Sequence, residues 1–411
     1  MPESGGLQRL AAGCPRWLLL ALLLTQSLLL NQQFGRQSDS SPAYLGCLLL
    51  ARGQGDALYA HDPASFAKVQ SETWTRLAIE QGLPFRRIHP YVQSPLYADL
   101  LRPLCTRITL KDFDRLMTVF SSLALFALLT GISRRSLAPD RQRAGLVLMT
   151  LLSLVSMPWL YHVELGQNHA VTLLLCWLAL TSEHAGRWLR AGLLLALAIL
   201  MKTFPMLLLA WWGWQRRWRP MLATLLGGAL LLALTWQISG TALLKAYLDN
   251  LQRIGGTLVL AFNNNALVTW LPDALAISAR DLNFTAHAMP GHYPALAALA
   301  ALLLTGLATR LAKREAGLGM LAALVTVTVC TPLAWIHYFL FLAPISALLL
   351  LRGDLLCRGL GLAIILLGLL RPAWAPLHEI SAPWLVRPEL TASLLALLGL
   401  FRLPARRRAH D

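Results

Sequence analysis

Three side chains capable of chemistry stand beside or within long apolar runs. Asp39, in Gln37-Ser38-Asp39-Ser40-Ser41-Pro42-Ala43-Tyr44, follows the first run by a short polar step. Lys202, in Lys202-Thr203-Phe204-Pro205, interrupts a later run. His337 sits in Thr331-Pro332-Leu333-Ala334-Trp335-Ile336-His337-Tyr338, between two further runs. Ionisable groups at membrane depth are costly, so each is a functional candidate by default. A carboxylate there can take a proton from an acceptor hydroxyl, while an ammonium and an imidazole can stabilise a departing phosphate. The amides of Gln167, Asn168 and Asn264 can hold sugar hydroxyls. Each residue also has an ordinary reading. Asp39 suits a helix N-cap. Lys202 can be a paired packing residue in one straight span. His337 can be a core histidine bonded to a backbone carbonyl, and Gly166-Gln167-Asn168 can be only a turn and helix start.

What would position these groups is a membrane. The chain has 411 residues, 56% hydrophobic and 14% charged, against about 25% charged in soluble domains. Its apolar runs are too long for a soluble core. The sequence therefore predicts an all-α polytopic membrane protein forming one integral domain over 1–411. A net charge of +16 points first to nucleic acid. However, many arginines lie in short loops between apolar runs, where the positive-inside rule places them on the cytoplasmic face. Nucleic-acid binding is excluded on that ground.

Arg9 and Arg16 precede the run Trp17–Leu30, and no small-x-small cleavage site follows. The expectation is a retained signal anchor with a cytoplasmic N-terminus. Spans are expected near 17–32, 115–132, 144–161 and 168–182. Later ones fall near 219–239, 293–311, 316–331, 335–351, 355–370 and 387–403. A first outer loop over 33–114 carries two candidate interfacial helices, Tyr44–Arg52 and Ala64–Gln81. A second outer loop covers 240–292, and a basic cytoplasmic tail covers 404–411. Segment 191–214 is flanked by arginine on both sides, so both ends belong in the cytoplasm. Each half is about a dozen residues, or about 18 Å of helix, short of a hydrocarbon core of about 30 Å. A hairpin of two half-helices with Lys202–Pro205 at its tip meets these constraints. The total is about ten full crossings plus one hairpin.

With this topology Asp39, Glu164, Gln167, Asn168, Lys202, Asn264 and His337 all fall on the outer side. Histidine spacing gives no zinc pattern, and no Walker loop or Gly-x-Gly-x-x-Gly occurs; no metal site and no cofactor are predicted. Cys47 and Cys105 share the first outer loop, where a disulfide is possible. No sequence repeat is evident, which disfavours transporters built from paired halves.

The order of motifs resembles glycosyltransferase family 87, membrane enzymes of the GT-C type. Asp39 with Tyr44, Ala51-Arg52-Gly53 and Leu58-Tyr59 is similar to the family's first outer loop. Tyr91, Ser94-Pro95 and Pro103 resemble its aromatic and proline segment. Gly166-Gln167-Asn168, the Lys202/Pro205 hairpin, Asn264-Asn265-Ala266-Leu267 and Pro332/Trp335/His337 resemble later motifs. The likeness covers about residues 30–345. The family often has two adjacent histidines where this chain has His337-Tyr338, and Gln beside the Asn of the later loop. The resemblance implies inverting transfer of a hexose, expected to be mannose, from a polyprenyl-phosphate donor to a glycan or glycolipid acceptor. That would take place on the periplasmic side of a bacterial inner membrane. It implies Asp39 as base and Lys202 and His337 at the leaving phosphate. Tyr44, Tyr91, Glu164, Gln167, Asn168, Asn264 and Trp335 would contact substrate. A lipid or sugar flippase and a polymerase or ligase of lipid-linked glycans are the alternatives.

Overall fold

The computed structural model describes residues 14–35, 39–60, 71–83, 89–261, 263–271, 285–370 and 387–404. Parts of the predicted signal anchor (Arg9), of the Ala64–Gln81 helix (Phe66, Val69) and of the basic tail (405–411) lie outside them.

Four described helices are long and apolar enough to cross a membrane. They are α1 (Arg16–Phe34), α5 (Leu110–Ser136), α11 (Trp218–Gly255) and α12 (Tyr293–Arg314). A fifth crossing arises if α6 (Gln142–Val155) and α7 (Met157–Leu165), bent by 59° at Ser156, form one broken span. α1, α11 and α12 turn leucines outward: Leu29, Leu226 and Leu303 are more than half exposed. A single-chain surface that apolar fits a lipid solvent. α13 (Ala316–Val329) is buried on every face from Gly317 onward. A helix apolar all round belongs at the centre, and α8 (His169–His184), α14 (Leu342–Arg352), α15 (Leu355–Ile364) and α16 (Pro388–Arg402) pack in the same core.

The interrupted segment forms α9 (Trp188–Met201), an extended Lys202, a 3-10 turn Phe204–Leu207 and α10 (Leu208–Trp214). Pro205 occupies the first turn, where a missing N–H costs nothing. α9 and α11 run in the same direction with their starts level. Gly227 of α11 faces Ala196 of α9, and a side chain at Gly192 of α9 would overlap Ala223 of α11. The intervening stretch Lys202–Arg217 therefore carries the chain back to the level from which α9 set out.

Residues of the stretch expected to be the first outer loop build a second core, the outer core. α2 (Ser40–Ala51), α3 (Glu72–Glu80) and α4 (Pro95–Cys105) surround Tyr44, Leu45, Trp74, Tyr91 and Phe113. A disulfide joins Cys47 to Cys105. Here the structure differs from an interfacial Tyr44–Arg52 helix with one wet face. α2 is buried from Ser40 to Leu50, because α4 and the start of α5 pack against it, while the far end of α11 packs on α4. That end was expected to be loop. Instead the helix continues past a kink at Gly240, whose φ of 83° suits glycine. Leu243, Leu244 and Leu251 then pack on the outer core, which also takes in Tyr247. A short hairpin pairs β1 (Thr257–Leu260) with β2 (Thr285–Ala288).

Candidate functional site

Between the two cores lies a cavity of about 630 Å³. Its polar wall is organised by one turn. α7 ends at Gly166, whose φ of 71° is left-handed, the common way to close a helix. A side chain at Gly166 would collide with the Asp114 carboxylate and the Ser40 hydroxyl, so only glycine fits. The Asp39 backbone N–H donates to Leu165 O at 2.9 Å, which fixes the start of α2 against this turn.

Gln167 then bridges the two charges that the sequence placed far apart. Its Nε2 donates to Asp39 Oδ2, and its Oε1 accepts from Lys202 Nζ at 2.8 Å. Lys202 also reaches the Tyr338 hydroxyl at 3.4 Å and lies 4.5 Å from the centre of that ring. His169 stacks on the Tyr338 ring, with centroids 4.2 Å apart. The second Asp39 oxygen meets His89 Nδ1 at 2.6 Å. Asp39 makes no side-chain cap bond to its own helix, so the ordinary N-cap reading does not account for its carboxylate. Burial by itself would raise the Asp39 carboxyl. The His89 charge and hydrogen bond, with Gln167 and Lys202, outweigh this and hold it below the usual carboxylate range.

His337 reaches the wall but is only 1% exposed. Neither ring nitrogen has a hydrogen-bond partner among the described residues, so the backbone-carbonyl bond of the ordinary core-histidine reading is absent there. Its ring centre lies 6.1 Å from His169 and 6.3 Å from His162. Asn168 lies on the wall and donates to Tyr97 OH at 3.0 Å. Trp335 is on the wall as well.

Four sequence-selected residues lie off the wall. Asn264 is fully buried, with its amide taken up by backbone. Its Nδ2 donates to Val259 O (2.8 Å), and its Oδ1 accepts from Ala334 N (2.8 Å) and Ala266 N (3.3 Å). It staples the loop after β1 to the turn before His337, and its neighbour Asn263 faces the cavity instead, donating to Tyr161 OH at 3.1 Å. Tyr44 and Tyr91 belong to the outer core. Tyr44 OH donates to Ile108 O at 2.9 Å and Tyr91 OH to Ser94 O at 2.7 Å. Glu164, one turn back on α7, is also off the wall.

Sequence reasoning missed His89, Tyr97, Asn263 and Tyr338, all on the wall. Tyr338 and Asn263 adjoin residues that were selected. His89 lies in the loop before Tyr91, and no spacing links it to Asp39.

A family model described as glycosyltransferase family 87 matches residues 94–335. The matched region includes Gln167, Asn168, Lys202 and Trp335, and stops short of Asp39, His89 and His337. No curated protein matches the chain.

Proposed function

The chain belongs to glycosyltransferase family 87, and from that premise we propose a membrane hexosyltransferase using a polyprenyl-phosphate sugar, mannose in the first instance. The acceptor is a glycan or glycolipid hydroxyl. Asp39 takes the hydroxyl proton as the acceptor oxygen bonds to the anomeric carbon. The bond from that carbon to the phosphate oxygen breaks on the opposite face, inverting the configuration. Lys202, with His337 nearby, stabilises the departing lipid phosphate, since preoriented donors act where charge develops. The observation that carries this reading is the single amide of Gln167, bonded on one side to Asp39 and on the other to Lys202. A base and a cation held one amide apart suit a displacement in which one oxygen loses a proton while another gains charge. Asn168 and Trp335 contact substrate in this reading. Tyr44, Tyr91, Glu164 and Asn264 support the walls.

The site faces the periplasm of a bacterial inner membrane in this reading, with both termini cytoplasmic and about ten crossings beside the Lys202 hairpin. The level starts of α9 and α11 support the hairpin. The Cys47–Cys105 bridge supports an oxidising compartment for the outer loop. A lipid donor suits the apolar part of the wall, where Met206 and Leu207 of the 3-10 turn stand beside Lys202.

The test is a donor panel on purified protein in lipid. Radiolabelled polyprenyl-phosphate mannose should pass its label to an acceptor, and the corresponding diphosphate-linked glycans should not. Transfer from diphosphate donors alone would move the protein to the ligase reading. Label crossing liposomes without a covalent product would make it a flippase.

A further inference from the structure

We propose that His89 is a positioning residue for the transfer, holding the Asp39 carboxylate oriented and anionic at the cavity wall. This rests on Asp39 being the base. The geometry is specific. His89 Nδ1 and Asp39 Oδ1 are 2.6 Å apart, while Gln167 engages Oδ2. A carboxylate gripped at both oxygens by different segments has a fixed plane, and its remaining lone pairs point in set directions. His89 lines the same cavity. Its side chain is 36% exposed against 19% for Asp39, so it stands on the more open side of the pair.

Other groups act on the pair and must be kept apart from His89. Lys202 lowers the Asp39 carboxyl from the hairpin side. His162 on α7 and Tyr338 in the turn before α14 feel the Asp39 charge. His337 in that turn feels His89, and Tyr97 of α4 lines the cavity beside them. For His89 itself burial disfavours the charged form, and the Asp39 carboxylate outweighs that, so its protonation is favoured above the usual histidine range. The imidazolium in turn favours ionised Asp39.

The sign follows from that coupling. Transfer requires ionised Asp39, so the rate falls on the acid side as Asp39 becomes protonated. Replacing His89 with a neutral donor removes one of the charges that keep Asp39 ionised. The acid limb of the kcat/KM profile then moves to higher pH.

The experiment compares wild type, His89→Asn, His89→Ala and Asp39→Asn in lipid across pH. His89→Ala should lose about 10- to 100-fold at neutral pH, the scale of a misplaced catalytic group. His89→Asn keeps an N–H near the Nδ1 position. It should recover most of the rate on the alkaline side with its acid limb displaced upward, at unchanged donor KM. An acid limb at the wild-type pH in the folded His89→Asn protein overturns the proposal, because a merely structural role scales the profile without moving it. Full activity in Asp39→Asn would instead remove the base assignment on which the proposal stands.

Discussion

Two partly buried cationic centres, one at each end of the helices, show what separates an anchor from a site. On the side expected to be cytoplasmic, Arg352 grips Glu315 through two bonds of 2.8 and 2.7 Å. It also donates to the carbonyls of Ser136 (2.9 Å) and Pro404 (2.8 Å). Arg314 closes on Phe401 O and Leu403 O, and Arg143 on Cys14 O. These guanidinium groups tie helix ends together. On the other side Lys202 has two partners, Gln167 and Tyr338, among the described residues. It faces a cavity, which leaves one of its three N–H groups for a ligand. The arginines far outnumber this lysine and carry most of the net charge, yet the proposed chemistry is read from a cation beside a void. What marks a site is an ionisable group whose bonding capacity is incompletely used where a substrate can enter.

That contrast can be broken by substitution. Lys202→Met should leave a folded protein whose kcat falls about 10²- to 10³-fold, the effect of removing one preoriented donor; steady-state rates with normalised protein check it. Arg352→Met should do the reverse. It removes the two-bond partner of a Glu315 that is only 10% exposed, costing about 3 kcal/mol. Thermal unfolding in detergent would show that loss, while transfer per folded molecule stays at the wild-type level. If Arg352→Met lowered kcat as Lys202→Met does, the two centres would not differ in kind. The pair Cys47→Ser with Cys105→Ser should destabilise the outer core by about 2–4 kcal/mol. Reducing agent applied to wild type should reproduce that shift in thermal unfolding. Tyr44→Phe removes the hydroxyl's hydrogen bonds to Ile108 O (2.9 Å) and, more weakly, to Gln81 Oε1 (3.4 Å), about 1 kcal/mol. It should leave transfer intact, which places Tyr44 in the outer core and away from substrate.

The long apolar helices were legible because hydropathy acts locally. The ends of α1, α5 and α12 fall within a few residues of the runs that announced them. The Lys202 break was legible for the same reason, since an ammonium and a proline in an apolar run have few tolerable positions. The outer layer was harder. α2 reads as amphipathic because its sequence cannot show that α4 and the start of α5 cover its remaining face. Gly240 looks like the end of a span, and the helix resumes beyond it because Leu243, Tyr247 and Leu251 find a core. Within the site, Asp39, Gln167 and Lys202 were selected singly, but their union through one amide depends on the Gly166 turn. Asn264 was chosen from a run of three asparagines, and the backbone's choice of which one turns inward is a matter of register that composition does not encode. His89 had no signal, because its partner lies fifty residues earlier across a loop.

The most direct measurement is donor binding and turnover on one preparation of Asp39→Asn in lipid, beside wild type, with radiolabelled polyprenyl-phosphate mannose. Asparagine keeps the shape at this position and removes the base. The account predicts donor binding close to wild type and turnover lower by about 10³-fold, within the range of general-base contributions. Turnover at the wild-type rate would contradict it and place the chemistry on another group of the cavity.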